Sequence, residues 1–111
     1  AIIVSTPQEV ALLDVKRGIK MFDKLGVKII GLVDNMSFFI GDDGKKYKIF
    51  GEGGVKKTAD EFQKEFLGEI PINSEIGKTS DLGKPLVEIN PNHEISKIYF
   101  NFANKIKSTY L

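Results

Sequence analysis

The chain has no cysteine and no tryptophan, only one histidine, and no apolar run approaching the length of a membrane span. Without thiols these residues supply neither a disulfide framework nor a thiolate ligand for a metal or an iron-sulfur cluster. A lone His93 supports neither a metal cluster nor a Ser-His-Asp arrangement, since each needs partner groups of defined type. No metal site is expected, and no catalytic constellation. Charge of one sign is also missing: 16 Lys and Arg stand against 15 Asp and Glu, interspersed along most of the sequence, for a net charge of +1. That balance creates no field suited to nucleic acid or to an anionic membrane, and neither partner is expected. The apolar runs fall well below the ~20 residues of a spanning helix and no signal-peptide pattern opens the chain, so a cytoplasmic location is expected.

What is present is an alternation of two periodicities. With 111 residues, 41% of them hydrophobic, the chain can bury one modest core, and a single domain over 1–111 is expected. It opens directly on a β-branched run, Ala1-Ile2-Ile3-Val4-Ser5, with no initiator Met, which suggests a start inside something larger. Thr6-Pro7-Gln8-Glu9 then reads as a capping box with Pro at the first helical position, followed by an apolar stripe of Leu12, Val15, Ile19 and Phe22 that stops at Gly26. "VKIIGLV" is a continuous apolar run of the kind a strand covered on both faces requires, ended by Asp34-Asn35. Val55, Ala59, Phe62 and Phe66 make a second helical stripe leading into a third strand, "FLGEI", which Pro71 stops. A short helix is expected from Ser74 to Leu82, a further extended piece at "PLVEI", and a last helix capped by Asn92 with Ile95, Ile98, Phe102 and Ile106 along one face.

Strands separated by helices of this length imply right-handed crossovers. The expected class is α/β: a three-layer parallel sheet of three to four strands with helices on both faces. Ligands of such sheets bind beyond the carboxyl ends of the strands, here Ser5 to Gln8, Asp34 to Phe39 and Ile70 to Ser74. Gly77-Lys78-Thr79 imitates the tail of a phosphate-binding loop, but the pattern demands a glycine five positions earlier, where Ile72 stands. The long loop "SFFIGDDGKKYKIFGEGG" carries an Asp42-Asp43 pair that turn chemistry explains better than cation binding. Its aromatics suit either local packing or an exposed sticky surface.

"STPQEVALLDVKRGIKMF", "GLVDNMSFF", "IFGEGGVKKTADEF", "FLGEIPINSEI" and "SDLGKPLVE" together give the chain a second identity. In this order they resemble the C-terminal half of the Mrp/NBP35 family, ATP-binding iron-sulfur cluster carriers of the deviant-Walker, ParA/MinD-like P-loop class. The resemblance spans nearly all of the chain. It implies part of a P-loop NTPase domain whose phosphate loop and switch regions lie upstream, so the chain alone is expected to be inactive as an ATPase. It implies an adenine-binding role for Asn35, a rigid apolar wall from Pro71 and Ile72 beside the base, and a position for Gln8 and Glu9 near the nucleotide and dimer side, where simple helix capping is the plainer reading. Many members carry a Cys-x-x-Cys pair in the long loop that binds a cluster between two subunits. Gly41 and Gly44 are the nearest positions here, so a cluster is doubtful.

The resemblance further implies ATP as the cofactor of the complete protein and iron-sulfur proteins as clients. Phe38, Phe39, Tyr47 and Phe50 are then expected at a subunit or partner interface. Alternatives of other classes are a partition- or membrane-associated MinD/ParA-like ATPase, disfavoured by the thin basic face of Lys97, Lys105 and Lys107, and a nucleotide-free interaction module. A homodimer or higher oligomer is expected, with Ile2, Ile3 and Val4 of the first strand as a free edge.

Overall fold

Three short strands run parallel through the first part of the chain: β1 (Ile2–Ser5), β2 (Gly31–Asn35) and, after an excursion, a last strand at Phe66–Ile70. A computed structural model describes all of residues 1–111 and divides them into two compact units, Ala1–Ile72 and Asn73–Leu111. In the first unit β1 is followed by α1 (Glu9–Leu25), β2 by an antiparallel hairpin of β3 (Phe39–Ile40) and β4 (Lys46–Tyr47), and the hairpin by α2 (Gly54–Glu61) and β5 (Phe66–Ile70). The parallel sheet has the order β1-β2-β5. Its α/β class and parallel pairing are those the sequence implies.

The register explains where the strands stop and start. Ile2 pairs with Gly31, Ser5 with Asp34, and Asn35 with Ile70. β2 therefore begins at Gly31 rather than at Val27, because the ladder starts only where β1 offers a partner. The Ile30 N–H just before it donates to the Ala1 carbonyl at 2.7 Å. β2 also runs past Val33 to Asn35, since β1 still pairs at Asp34 and β5 as far as Asn35. The expected capping box is not formed. Glu9 is the first helical residue, Gln8 holds the N-cap without a side-chain bond, and the Thr6 hydroxyl donates to Gln8 Oε1 at 3.0 Å. A short hydroxyl that finds an acceptor two residues on is lost to the helix.

The core of this unit is built by Leu12, Val15 and Ile19 of α1, Val55 and Ala59 of α2, and Ile29 and Leu32 beside and within β2. Ile3, Phe22, Phe62 and Phe66 pack against it from partly buried positions. Phe66 does so from β5 and not from α2, whose end is set by Gln63 in the left-handed region (φ 55°). Gly51 (φ 126°) and Gly53 (φ 72°) make the tight entry into α2 that residues with a Cβ resist.

The second unit is helical, with α3 (Ser74–Asp81), α4 (Leu86–Ile89) and α5 (Glu94–Tyr110). α3 is capped by Asn73, whose side chain accepts from the Glu75 N–H at 2.9 Å. "PLVEI" is a helical turn and not an extended piece, because the Glu88 and Ile89 amides both donate to the Pro85 carbonyl. Such local bonds satisfy the backbone without a strand partner. His93, not Asn92, caps α5: its Nδ1 accepts from the Ile95 N–H at 3.1 Å. Ile95 is buried, and Ile98, Phe102 and Ile106 continue its stripe half-buried.

Candidate functional site

The carboxyl ends of β2 and β5 lie side by side, and the chain beyond them stays paired. The Ser37 N–H donates to the Ile70 carbonyl at 3.0 Å, and the Ile72 N–H donates to the Phe38 carbonyl at 2.7 Å. Asn35, at the end of β2 and in register with Ile70, stands at the same end of the sheet as Pro71 and Ile72, which follow β5 directly, and all three are half-buried. The Asn35 Oδ1 accepts from the Met36 N–H at 3.0 Å. Met36 itself takes a left-handed conformation (φ 53°), uncommon for a residue with an unbranched apolar side chain. This turn gives the end of β2 its direction.

Beneath the turn sits a polar layer that sequence reasoning did not find. Asp34 is 2% exposed and Ser37 1%, and the Ser37 hydroxyl donates to Asp34 Oδ2 at 3.2 Å. Asp34 Oδ1 has no hydrogen-bond partner. Burial holds the Asp34 carboxyl above the usual carboxylate range. The Ser37 hydroxyl pulls it back, Glu69 pushes it up across the strand, and Lys48 lowers it. Lys48 also pairs with Glu69 at 3.8 Å. The signal was an acid placed on the last buried turn of an apolar run, "GLVD", where a plain strand end would be expected to meet water.

Gln8 lies on the segment after β1, exposed and hydrogen-bonded to Thr6. Gly77-Lys78-Thr79 lies inside α3, with Lys78 paired to Glu75 at 3.7 Å on the same helix. Helical backbone amides cannot converge on a phosphate there.

The long loop is a structured hairpin. Gly41 N–H donates to the Lys45 carbonyl at 3.0 Å, Asp43 accepts from the Lys45 N–H at 3.0 Å, and the Tyr47 hydroxyl donates to Asp43. That last bond lowers the Asp43 carboxyl and raises the Tyr47 phenol. A Cβ at Gly41 would stand 2.7 Å from the Tyr47 ring and 2.9 Å from the Asp43 carboxylate, so these exposed side chains would have to move to admit one. Phe39 and Tyr47 are exposed, Phe38 and Phe50 half-buried, and the Lys46 ammonium lies 4.4 Å from the centre of the Phe38 ring. No group of three or more His, Asp or Glu side chains is arranged to hold a metal ion.

The family model described as ParA, the NUBPL iron-transfer P-loop NTPase, matches residues 1–107. The chain belongs to that family. It is 46% identical over 107 residues to the iron-sulfur cluster transfer protein NUBPL of Dictyostelium discoideum, covering 96% of this chain and 33% of the relative. A solved nucleotide-binding protein from Archaeoglobus fulgidus, in complex with ADP, is similar at 40% identity with a TM-score of 0.65, over 76% of this chain and 35% of that one. The cell division ATPase MinD of Pyrococcus furiosus shares the fold at 21% identity, with a TM-score of 0.76 over 97% of this chain and 42% of that one. The sequence thus spans about a third of the length of the family member from Dictyostelium. No helix of the chain is long and apolar enough to cross a membrane.

Proposed function

We propose that residues 1–111 are the base-holding and interface-bearing part of an ATP-binding iron-sulfur cluster carrier, and that they form the C-terminal half of one P-loop NTPase domain. The observation that carries this reading is the placing of Asn35 and Pro71-Ile72 at the adjacent carboxyl ends of β2 and β5, in a chain of the iron-transfer NTPase family. That is where open parallel sheets bind ligands. A flat base fits against the Pro71-Ile72 wall, and the Asn35 amide supplies a donor and an acceptor for its edge. Membership of the family and the ADP of the Archaeoglobus relative support a nucleotide as the ligand. Gln8 and Glu9 lie toward the nucleotide and dimer side in this reading.

ATP supplies the phosphoanhydride that a carrier of this class hydrolyses, but no residue here forms a phosphate cradle, so this region orients the base and leaves the phosphates to another part of the protein. A cluster is cargo in this reading. The donors present, with no cysteine and one histidine that already caps α5, do not fit one, and any cluster is held elsewhere. The β3–β4 hairpin faces a second copy or an iron-sulfur client, and the protein works in the cytoplasm. In the 111-residue chain on its own the edge of β1, with Ile2 and Val4 exposed beside a groove of about 390 Å³, is a second self-association surface.

Calorimetry tests the reading. The 111-residue chain should not bind ATP at millimolar or tighter affinity, while in the full-length protein Asn35→Ala should weaken ATP more than inorganic triphosphate. Equal losses would remove Asn35 from the base site. Anaerobic reconstitution of the 111-residue chain should yield no iron-sulfur absorbance, and stoichiometric bound iron would overturn that assignment.

A further inference from the structure

We propose that Asp34, acting through Ser37, is the positioning residue of the base site: a buried clasp that fixes where Asn35 and the Pro71-Ile72 wall stand relative to each other. The proposal rests on the reading of Asn35 given above. Asp34 and Asn35 are consecutive on β2, so their side chains leave opposite faces of the sheet, and a change at one does not touch the other directly. They communicate through the turn. The Asp34 carboxylate accepts from the Ser37 hydroxyl, and the amide of that same Ser37 donates to Ile70, the residue that precedes the wall. Between them Met36 is held in the left-handed region with its N–H on Asn35 Oδ1, so the rotamer of Asn35 is set by the backbone the clasp defines. The Asn35 oxygen accepts from Met36 and keeps a second lone pair, so the amide N–H pair and that lone pair are what it offers a ligand.

A structural role alone does not account for an acid at position 34. Asp34 lies 2% exposed with one carboxylate oxygen unpartnered, in register with Ser5 on one side and Glu69 on the other. An apolar residue would close the same space without an orphaned buried oxygen. What the carboxylate adds is an ionisable acceptor for the Ser37 hydroxyl, 3.2 Å away. A site that holds an uncommon Met36 conformation needs such a bond, because strained backbone persists only where its surroundings over-determine it.

The experiment compares affinities for ATP and for inorganic triphosphate in the full-length protein carrying Asp34→Asn, Ser37→Ala, Asn35→Ala, and Ser37→Ala with Asn35→Ala. Asp34→Asn and Ser37→Ala should each weaken ATP about tenfold, the size of one hydrogen bond, and leave triphosphate unchanged. Added to Asn35→Ala, Ser37→Ala should cost little more, because both act through one amide. A general loss of folding would lower both ligands together and would overturn the proposal. So would an unchanged ATP to triphosphate ratio in Asp34→Asn and Ser37→Ala while Asn35→Ala shifts it, which sinks the clasp alone. If Asn35→Ala itself leaves the ratio unchanged, the base-site reading falls and takes the clasp with it.

Discussion

β2 and the β3–β4 hairpin are near neighbours in the chain, yet they are held by opposite means. Leu32, Val33 and Asp34 of β2 are at most 3% exposed, paired on both edges with strands distant in sequence. Phe39, Ile40 and Tyr47 of the hairpin are each more than 40% exposed, and its bonds join residues within a few positions of each other. Burial couples β2 to the whole of its unit, whereas the hairpin is a local structure that can change without unfolding what it is attached to. In the proposed reading this division suits a hairpin that meets a partner on a frame that must not move.

The comparison predicts a graded response to substitution. Leu32→Ala, at a fully buried core position, should cost about 2–5 kcal/mol of stability, read by urea unfolding. Gly31→Ala should cost less, about 1–3 kcal/mol, since the added Cβ would stand 2.6 Å from Leu67 Cγ and 3.1 Å from the Glu65 carbonyl and the bulged pairing with β5 would have to shift. If either is tolerated without loss, β2 is not the rigid member of the pair.

Asp34 sharpens the comparison through pH. Its carboxyl is raised mainly by burial and secondarily by Glu69, against the lowering effects of Ser37 and Lys48. The native state therefore binds this proton more tightly than the unfolded chain. The contribution is fully present below the ordinary Asp value of about 3.9 and is lost as pH rises through the raised native value. Asp34→Asn should flatten the decline of stability with pH over that interval and leave the protein more stable than the parent above it. A parallel displacement of the two pH curves would exclude Asp34 as the titrating group.

The smallest effect belongs to the hairpin. Tyr47→Phe removes the bond to Asp43, and amide exchange at Gly41 and Lys45 should accelerate while the urea midpoint stays where it was. A midpoint shift as large as that of Leu32→Ala would abolish the distinction between the two regions.

Much of this was legible in the residues. The stripes of α1, α2 and α5 and the apolar runs of β1, β2 and β5 announce themselves by period, and the motif set around "DNM" and "EIPI" points to Asn35, Pro71 and Ile72. The hairpin was visible only as turn chemistry, because two-residue strands carry too little alternation to register. "PLVEI" misled because a short apolar segment reads alike as strand or helix, and Pro85 as a local acceptor settles it.

Composition and pattern by themselves determined the α/β class, the order of the main elements, the absence of a thiolate site and the family. Those properties depend on residue identity and on spacings within one element, which the chain carries wherever it goes. Only the tertiary structure decided that β2 starts at Gly31, that Asp34 is buried with one oxygen unpartnered, and that Ser37 ties it to Ile70. Each of those depends on which distant segment supplies the neighbouring ladder, and pairing between strands is set by packing of the assembled sheet rather than by the local sequence of either strand.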